Sequence, residues 1–228
     1  ATEAWAGKKE LYGKKICHQT GYICLKVRPK ESWESLWPNI GTRNIAMRIN
    51  RRNMKLRAGM ILAVPPFLAI STQINFCEQI SSLDFSPFIP EDFSGKGTKL
   101  VVFDPLLLAW AAYDQNGQLV RWGPASGGAD WCDDIKRKCH TPTGIFKIEQ
   151  KYGPTKRSDL FPIGCHSITC APIPYFMKFR WSGAGLHGSP YVPGFNDSHG
   201  CVRLFSEDAE WLNKEFTEIG TTLIVLPY

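Results

Sequence analysis

Between His187 and Leu204 the chain has to turn back on itself. The run His187-Gly188-Ser189-Pro190 is followed by Pro193, Gly194, Asn196 and Asp197, and then by Ser198-His199-Gly200-Cys201-Val202-Arg203-Leu204. Residues of this kind make turns and interrupt both helix and strand. His187 and Cys201 stand fourteen positions apart, too far for one helical face, so they meet only if the segment reverses between them. The residue types then point to acyl transfer. Cysteine is a strong soft nucleophile as its thiolate. A histidine within reach takes the thiol proton and returns it to a leaving amine. Glycine lets the backbone approach a substrate and aim N–H groups at it. His199 and Arg203 each lie two positions from Cys201, the spacing that shares a face in an extended segment. A thiol between two imidazoles and a guanidinium is expected to have a lowered pKa. The plainer readings are a disulfide half-cysteine, a zinc set of two histidines and a cysteine, or a core histidine. Arg203 would repel a cation, and the chain has no C-x-x-C pair.

Eight cysteines, at 17, 24, 77, 132, 139, 165, 170 and 201, are many for a reducing compartment. With Cys201 reserved for chemistry, seven remain. Cys132/Cys139 and Cys165/Cys170 are candidate short-loop bridges. Cys17/Cys24 across a hairpin at Gln19-Thr20-Gly21 competes with Cys24/Cys77. An oxidising space such as a bacterial periplasm or cell envelope is therefore expected, with any export signal outside this chain. Residues 1–70 carry 13 lysines and arginines against 4 acids, whereas the remainder carries 14 against 17. The basic half suits an anionic polymer such as cell-wall glycan with its peptide carboxylates, or serves solubility alone. Nucleic-acid motifs are absent, so no nucleic-acid partner is expected.

The fold class expected is α+β: a small βααβ unit followed by a mostly-β domain. Gly21–Val27 reads as a strand. Ser32 caps a short helix with apolar Trp33, Leu36 and Trp37, ended by Pro38. Arg43–Asn50 reads as a second helix, and Leu56–Pro65 as a turn and closing strand. Residues 66–97 read as an apolar connector packed along its neighbours, with Cys77 as a candidate pin. Beyond it, short strands alternate with Gly/Pro turns. Leu106 to Tyr113 reads as one of these strands. A late helix is expected to be capped by Ser206, to bury Ala209, Leu212 and Phe216, and to stop at Gly220.

The combination H-G-S-P … S-H-G-C-V-R-L closely resembles the signature of the L,D-transpeptidases, the YkuD-like family of cell-wall cross-linking enzymes. Lys99–Asp104, Leu107–Gly123 with its turn at Gln115-Asn116-Gly117, Thr141-Pro142-Thr143-Gly144-Ile145-Phe146, and Pro174–Met177 leading to Gly185–Gly188 extend the resemblance over residues 98–228. The segment 21–66 resembles a LysM carbohydrate-binding module, through Val27-Arg28-Pro29, Ser32-Trp33, Asn50 and Ala58–Pro65. Lys30-Glu31 stands where that family has Gly-Asp. The organisation implied is a LysM-like module (21–66), a packed connector (67–97) and a catalytic domain (98–228).

This resemblance implies that Cys201 attacks a peptidoglycan tetrapeptide stem at the carbonyl of its third residue, forming a thioester with loss of D-alanine. An amine from a neighbouring stem then makes a 3→3 cross-link. His187 takes the place of the general base, with His199 second. Backbone N–H groups around His199, Gly200 and Cys201 form the oxyanion hole, and Ser198 and Gly188 belong to the same motif. Arg203 holds a substrate carboxylate or orders the loop, and Tyr175 and Trp181 line the donor groove. No metal or cofactor is required, penem β-lactams are expected covalent inhibitors, and a monomer is expected. The alternatives are an L,D-carboxypeptidase working on the same thioester and a non-catalytic wall-binding or adhesion protein.

Overall fold

A computed structural model describes residues 9–70, 85–88, 97–181 and 183–228. Cys77 and its expected role as a pin, with Ile74, Phe76, Leu83 and Phe93, lie outside the described residues.

The N-terminal segment forms helix α1 (Tyr12–Ile16), strand β1 (Ile23–Lys26), helices α2 (Trp33–Leu36) and α3 (Ile40–Ile49), strand β2 (Ile61–Val64) and helix α4 (Pro66–Ile70). The strands pair antiparallel, Ile23 opposite Val64 and Lys26 opposite Ile61, so the strand–helix–helix–strand order read from the sequence is present. Ser32 caps α2 as expected, in a reciprocal box with Ser35. Helix α3 starts three residues earlier than Arg43, because the Asn39 side chain accepts from the N–H groups of Gly41 and Thr42. Trp33, Trp37, Ile45, Ile49 and Leu62 fill the core of this unit, and a Cys17–Cys24 disulfide closes its entry loop.

Residues 100–225 build a single nine-stranded sheet. Its strands are β3 (Leu100–Asp104), β4 (Ala109–Tyr113), β5 (Leu119–Ser126), β6 (Gly144–Lys147), β7 (Gln150–Lys151), β8 (Met177–Lys178), β9 (Gly185–Gly188), β10 (Val202–Leu204) and β11 (Thr222–Val225), in the spatial order 6-11-3-4-5-10-9-8-7. Only β11–β3 and β10–β9 are parallel pairs; the other neighbours run antiparallel. β3 and β4 are buried on both faces, which accounts for their nearly unbroken apolar sequences. One face packs Val101, Phe103 and Trp110 with Leu186, Val202 and Leu204 under helix α5 (Ser206–Trp211); the other packs Val102, Ala111, Tyr113 and Trp122 with Phe88.

Three sequence expectations shift at element ends. Ser206 is the first residue of α5 rather than its cap; Phe205 holds the cap position without a side-chain bond. The helix runs on as a wider turn over Leu212–Phe216 and closes where the Thr217 hydroxyl donates to Leu212 O, so Gly220 lies beyond its end. Leu106 to Leu108 is a turn instead of strand, because the Asp104 carboxylate accepts from the N–H groups of Leu106 and Leu107.

A buried carboxylate joins the two parts. Asp208 on α5 is 0% exposed and accepts from Arg48 Nη1 and Nη2 at 3.0 and 2.6 Å and from Arg121 Nη2 at 2.8 Å. Gly123 leaves the room for this, since a Cβ there would stand 2.2 Å from Asp208 Oδ2. Burial opposes the Arg48 charge, but Asp208 more than offsets it and holds its pKa above the ordinary value. Asp208→Ala takes the buried counter-charge from two guanidinium groups, leaving Arg48 only the longer contact to the half-exposed Glu207 at 3.9 Å. It is expected to cost roughly 3–5 kcal/mol in chemical denaturation, whereas Lys214→Ala, which removes an exposed pair with Glu210, is expected to cost under about 1 kcal/mol.

Candidate active site

The site is assembled by the parallel pairing of β9 and β10. Leu186 lies opposite Val202, His187 opposite Arg203, and Gly188 opposite Leu204. Side chains alternate along a strand, so with Leu186, Val202 and Leu204 in the core, His187 and Arg203 point to the other face. One step further along the register brings Cys201 beside Gly185, whose backbone N–H donates to the Cys201 sulfur. Gly183 O lies 3.8 Å from Cys201 Sγ on its other side. Gly185 has to be glycine, because a Cβ would meet the Phe176 ring at 2.2 Å. His187 and Arg203 thus share one face of two adjacent strands, and Cys201 stands at the residue before β10, within reach of the Arg203 charge.

His187 is 6% exposed, and its Nδ1 is bonded to Gly188 O at 2.8 Å. A carbonyl only accepts, so Nδ1 carries the proton and Nε2 keeps its lone pair, the tautomer a general base needs. Burial and the Arg203 charge push the His187 pKa down to about 4, against the bond to Gly188. The imidazole is therefore neutral at neutral pH. The Cys201 thiol is pushed up by burial, only partly offset by the Gly185 N–H and the Arg203 charge. This corrects the sequence expectation of a lowered thiol pKa: the charged neighbour was legible, but the desolvation that outweighs it was not. Arg203 Nη1 lies 3.8 Å from Asp197 Oδ2, so the guanidinium ties β10 to the loop before it.

Residues 198–201 form a turn rather than an extended segment. Ser198 Oγ accepts from the Gly200 N–H and donates to Cys201 O, and Gly200 has φ +123°, a conformation that suits glycine. The i, i+2 argument for His199 fails for this reason. Its Nε2 is bonded to Asp134 Oδ1 and Oδ2 at 2.9 and 2.8 Å, and its ring stacks on Phe161 at 4.3 Å. The Cys132–Cys139 disulfide closes the loop that presents Asp134, and Cys165–Cys170 closes the loop following Phe161. Both pairings follow the expected local scheme, and among the described residues Cys201 is the free cysteine. Cys132 Sγ, Asp134 and His199 place ligand atoms within 4.8 Å of one another, but a sulfur held in a disulfide is not a thiolate ligand. Gly188 is buried, its N–H donating to Pro174 O. The Tyr175 hydroxyl engages Glu210, and Trp181 is 90% exposed. Asp134 and Phe161 are neighbours of His199 that the sequence did not disclose, since neither lies in a motif or a periodic pattern.

These shifts fix the sign of a pH effect. A thiol with a raised pKa gains thiolate only as pH climbs toward and beyond the ordinary thiol range. Alkylation of Cys201 by iodoacetamide, followed by mass spectrometry of its own peptide, should therefore keep rising at about tenfold per pH unit through pH 6–8. A level profile across that range would indicate a preformed thiolate. Arg203→Ala removes the guanidinium that partly offsets burial at the thiol and is expected to slow alkylation further at pH 7.

A family model described as the L,D-transpeptidase catalytic domain, YkuD, matches residues 107–225, just over half of the chain. Similar solved structures include an L,D-transpeptidase from Xylanimonas cellulosilytica, at 27% identity over 57% of this chain and 61% of that one, with a TM-score of 0.46. Another is an L,D-transpeptidase from Mycobacterium smegmatis, at 26% identity over 57% and 58%, TM-score 0.46. A third is L,D-transpeptidase 3 from Mycobacterium tuberculosis in complex with a faropenem-derived adduct, at 21% identity over 57% and 60%, TM-score 0.46. The chain thus covers less than two-thirds of each of these proteins. No similar sequence is found among curated proteins. Through residues 107–225 the chain belongs to the YkuD family of L,D-transpeptidase catalytic domains.

Proposed function

We propose that this protein is a peptidoglycan L,D-transpeptidase that works through a thioester on Cys201. The observation that carries this reading is the β9–β10 register, which brings the free thiol, one residue before β10 and bonded to the Gly185 N–H, beside the strand that carries a neutral, Nδ1-protonated His187. The resting pair is thiol and imidazole, so proton transfer accompanies attack instead of preceding it. His187 Nε2 takes the proton as Cys201 Sγ bonds to the carbonyl carbon of the third stem residue. The C–N bond to the terminal D-alanine then breaks, and the imidazolium returns its proton to the leaving amine. In the second step His187 deprotonates the acceptor amine, which displaces the sulfur and regenerates the thiol. The Gly200 N–H is committed to Ser198, which leaves the N–H groups of His199 and Cys201 as oxyanion donors. Asp134 orients His199 beside this turn.

The N-terminal unit fits a LysM-like glycan-binding role. The βααβ order supports it, as does a groove of about 600 Å³ lined by Leu25–Pro29, Glu31, Ala58 and Gly59. The departure at Lys30-Glu31 is accommodated: Lys30 adopts φ +72°, the conformation glycine takes more readily, and Glu31 accepts from the Arg28 N–H as an aspartate would. Three disulfides among the described residues support an oxidising location in the cell envelope.

Faropenem is a direct probe of the thiol. Wild type is expected to gain the mass of the acyl adduct on Cys201, and Cys201→Ala to gain none. His187→Ala, with the thiol intact, is expected to acylate roughly 10²–10⁴-fold more slowly. An adduct that persists in Cys201→Ala, or an unmodified wild type, would refute the proposal.

A further inference from the structure

The segment joining His187 to Cys201 is held along its outer side by the N-terminal unit. Asn53 grips it with three hydrogen bonds: Nδ2 donates to Ser189 O at 2.9 Å, Oδ1 accepts from the Val192 N–H at 2.9 Å, and its own N–H donates to Val192 O at 3.1 Å. Arg52 Nη1 donates to Pro193 O at 2.6 Å, and the two residues pair as an antiparallel bridge. The Tyr12 N–H donates to Gly194 O at 3.0 Å, and Lys9 Nζ reaches Asn196 O at 3.2 Å and Asp197 Oδ1 at 3.4 Å. These contacts follow the loop almost residue by residue, from just after His187 to the aspartate that faces Arg203.

Arg52 makes the case sharper. It is 5% exposed, and no carboxylate pairs with it among the described residues; its guanidinium is satisfied by the carbonyls of Pro193 and Lys55, with Nε unpartnered. A buried cation held by carbonyls alone is unfavourable for folding. Its position suits holding the Pro193 turn better than stabilising the unit that carries it.

We infer that Asn53, with Arg52, is a positioning residue for the reaction: the N-terminal unit clamps the 189–197 loop and so fixes the spacing of His187 and Cys201. This rests on the transpeptidase reading for its chemical readout, and the physical readout is independent of that reading. Hydrogen exchange across residues 189–199, faropenem acylation and thermal melting are compared in wild type, Asn53→Ala, Asn53→Asp and Ile49→Ala. Ile49→Ala lowers the stability of the same unit from within its core, without removing a side-chain hydrogen bond to the loop.

Asn53→Ala is expected to lose exchange protection at Val192 and its neighbours and to acylate about tenfold more slowly or worse, since small misplacements of reacting groups are costly. Asn53→Asp keeps the acceptor for Val192 and loses the donor to Ser189, so it should fall between. It also decides the matter should Asn53→Ala fail to fold. Ile49→Ala should melt lower with loop protection and acylation rate kept. Unchanged loop protection in both Asn53 variants, or an equal loss of acylation in Ile49→Ala, would overturn the inference. If wild type itself resists faropenem, the transpeptidase reading fails, and the exchange comparison alone accepts or rejects the clamp.

Discussion

The placement of Cys201 against His187 depends on two short strands running the same way. β9 and β10 are parallel neighbours, and the connection between them must leave one end of the sheet and return to the other. Parallel strands are commonly joined through a packed helix. Here residues 189–201 make the crossing with turns, several of them built on glycine or on side-chain bonds: Gly194 at φ +86°, Gly200 at φ +123°, Ser198 bridging Gly200 and Cys201. Such a loop lacks a helix's internal bonds, so its geometry is borrowed from what surrounds it. Gly127 O accepts from Asp197 and Ser198 on the inner side, and the N-terminal unit grips the outer side. The placement of Cys201 and His187 is thus a property of the packed molecule rather than of the motif alone.

The same packing sets the electrostatics. Asp208 is fully buried between Arg48 and Arg121, and α5, which carries it, packs directly on β9. Arg51 lies over the Tyr12 and Trp122 rings at 4.8 and 4.6 Å. The basic character of residues 1–70, read from the sequence as suited to an anionic polymer or to solubility, is therefore partly spent inside the molecule. Arg48, Arg51 and Arg52 are consumed by the junction. Lys26 and Arg28 remain in the lining of the groove of the N-terminal unit. Burial also decides the resting state of the site: it keeps the imidazole neutral, with the Arg203 charge acting in the same direction, and it keeps the thiol neutral against that charge.

Much of this was legible in one sequence, for definable reasons. The βααβ order followed from caps, prolines and apolar spacing, all local signals. The local disulfides followed from loop length, and the motif that brings His187 and Cys201 together from its turn residues. What escaped was carried by contacts between residues far apart in the chain. Asp134 meets His199 across 65 positions, and Asn53 meets Val192 across 139. Loop-borne polar residues have no period to betray them. The expectation for His199 failed at one residue, because Gly200 leaves the extended conformation on which the i, i+2 rule depends. The thiol pKa was misjudged because neighbours are visible in sequence and burial is not.

The central claim is that Cys201 and His187 transfer an acyl group from a tetrapeptide stem to an amine. The most direct measurement is mass spectrometry of purified tetrapeptide muropeptides incubated with the protein. Release of D-alanine together with dimers joined through their third residues is expected. Tripeptide without dimers would leave the thioester and replace the acceptor by water. Stems left intact by a protein whose Cys201 is shown to be free would contradict the account.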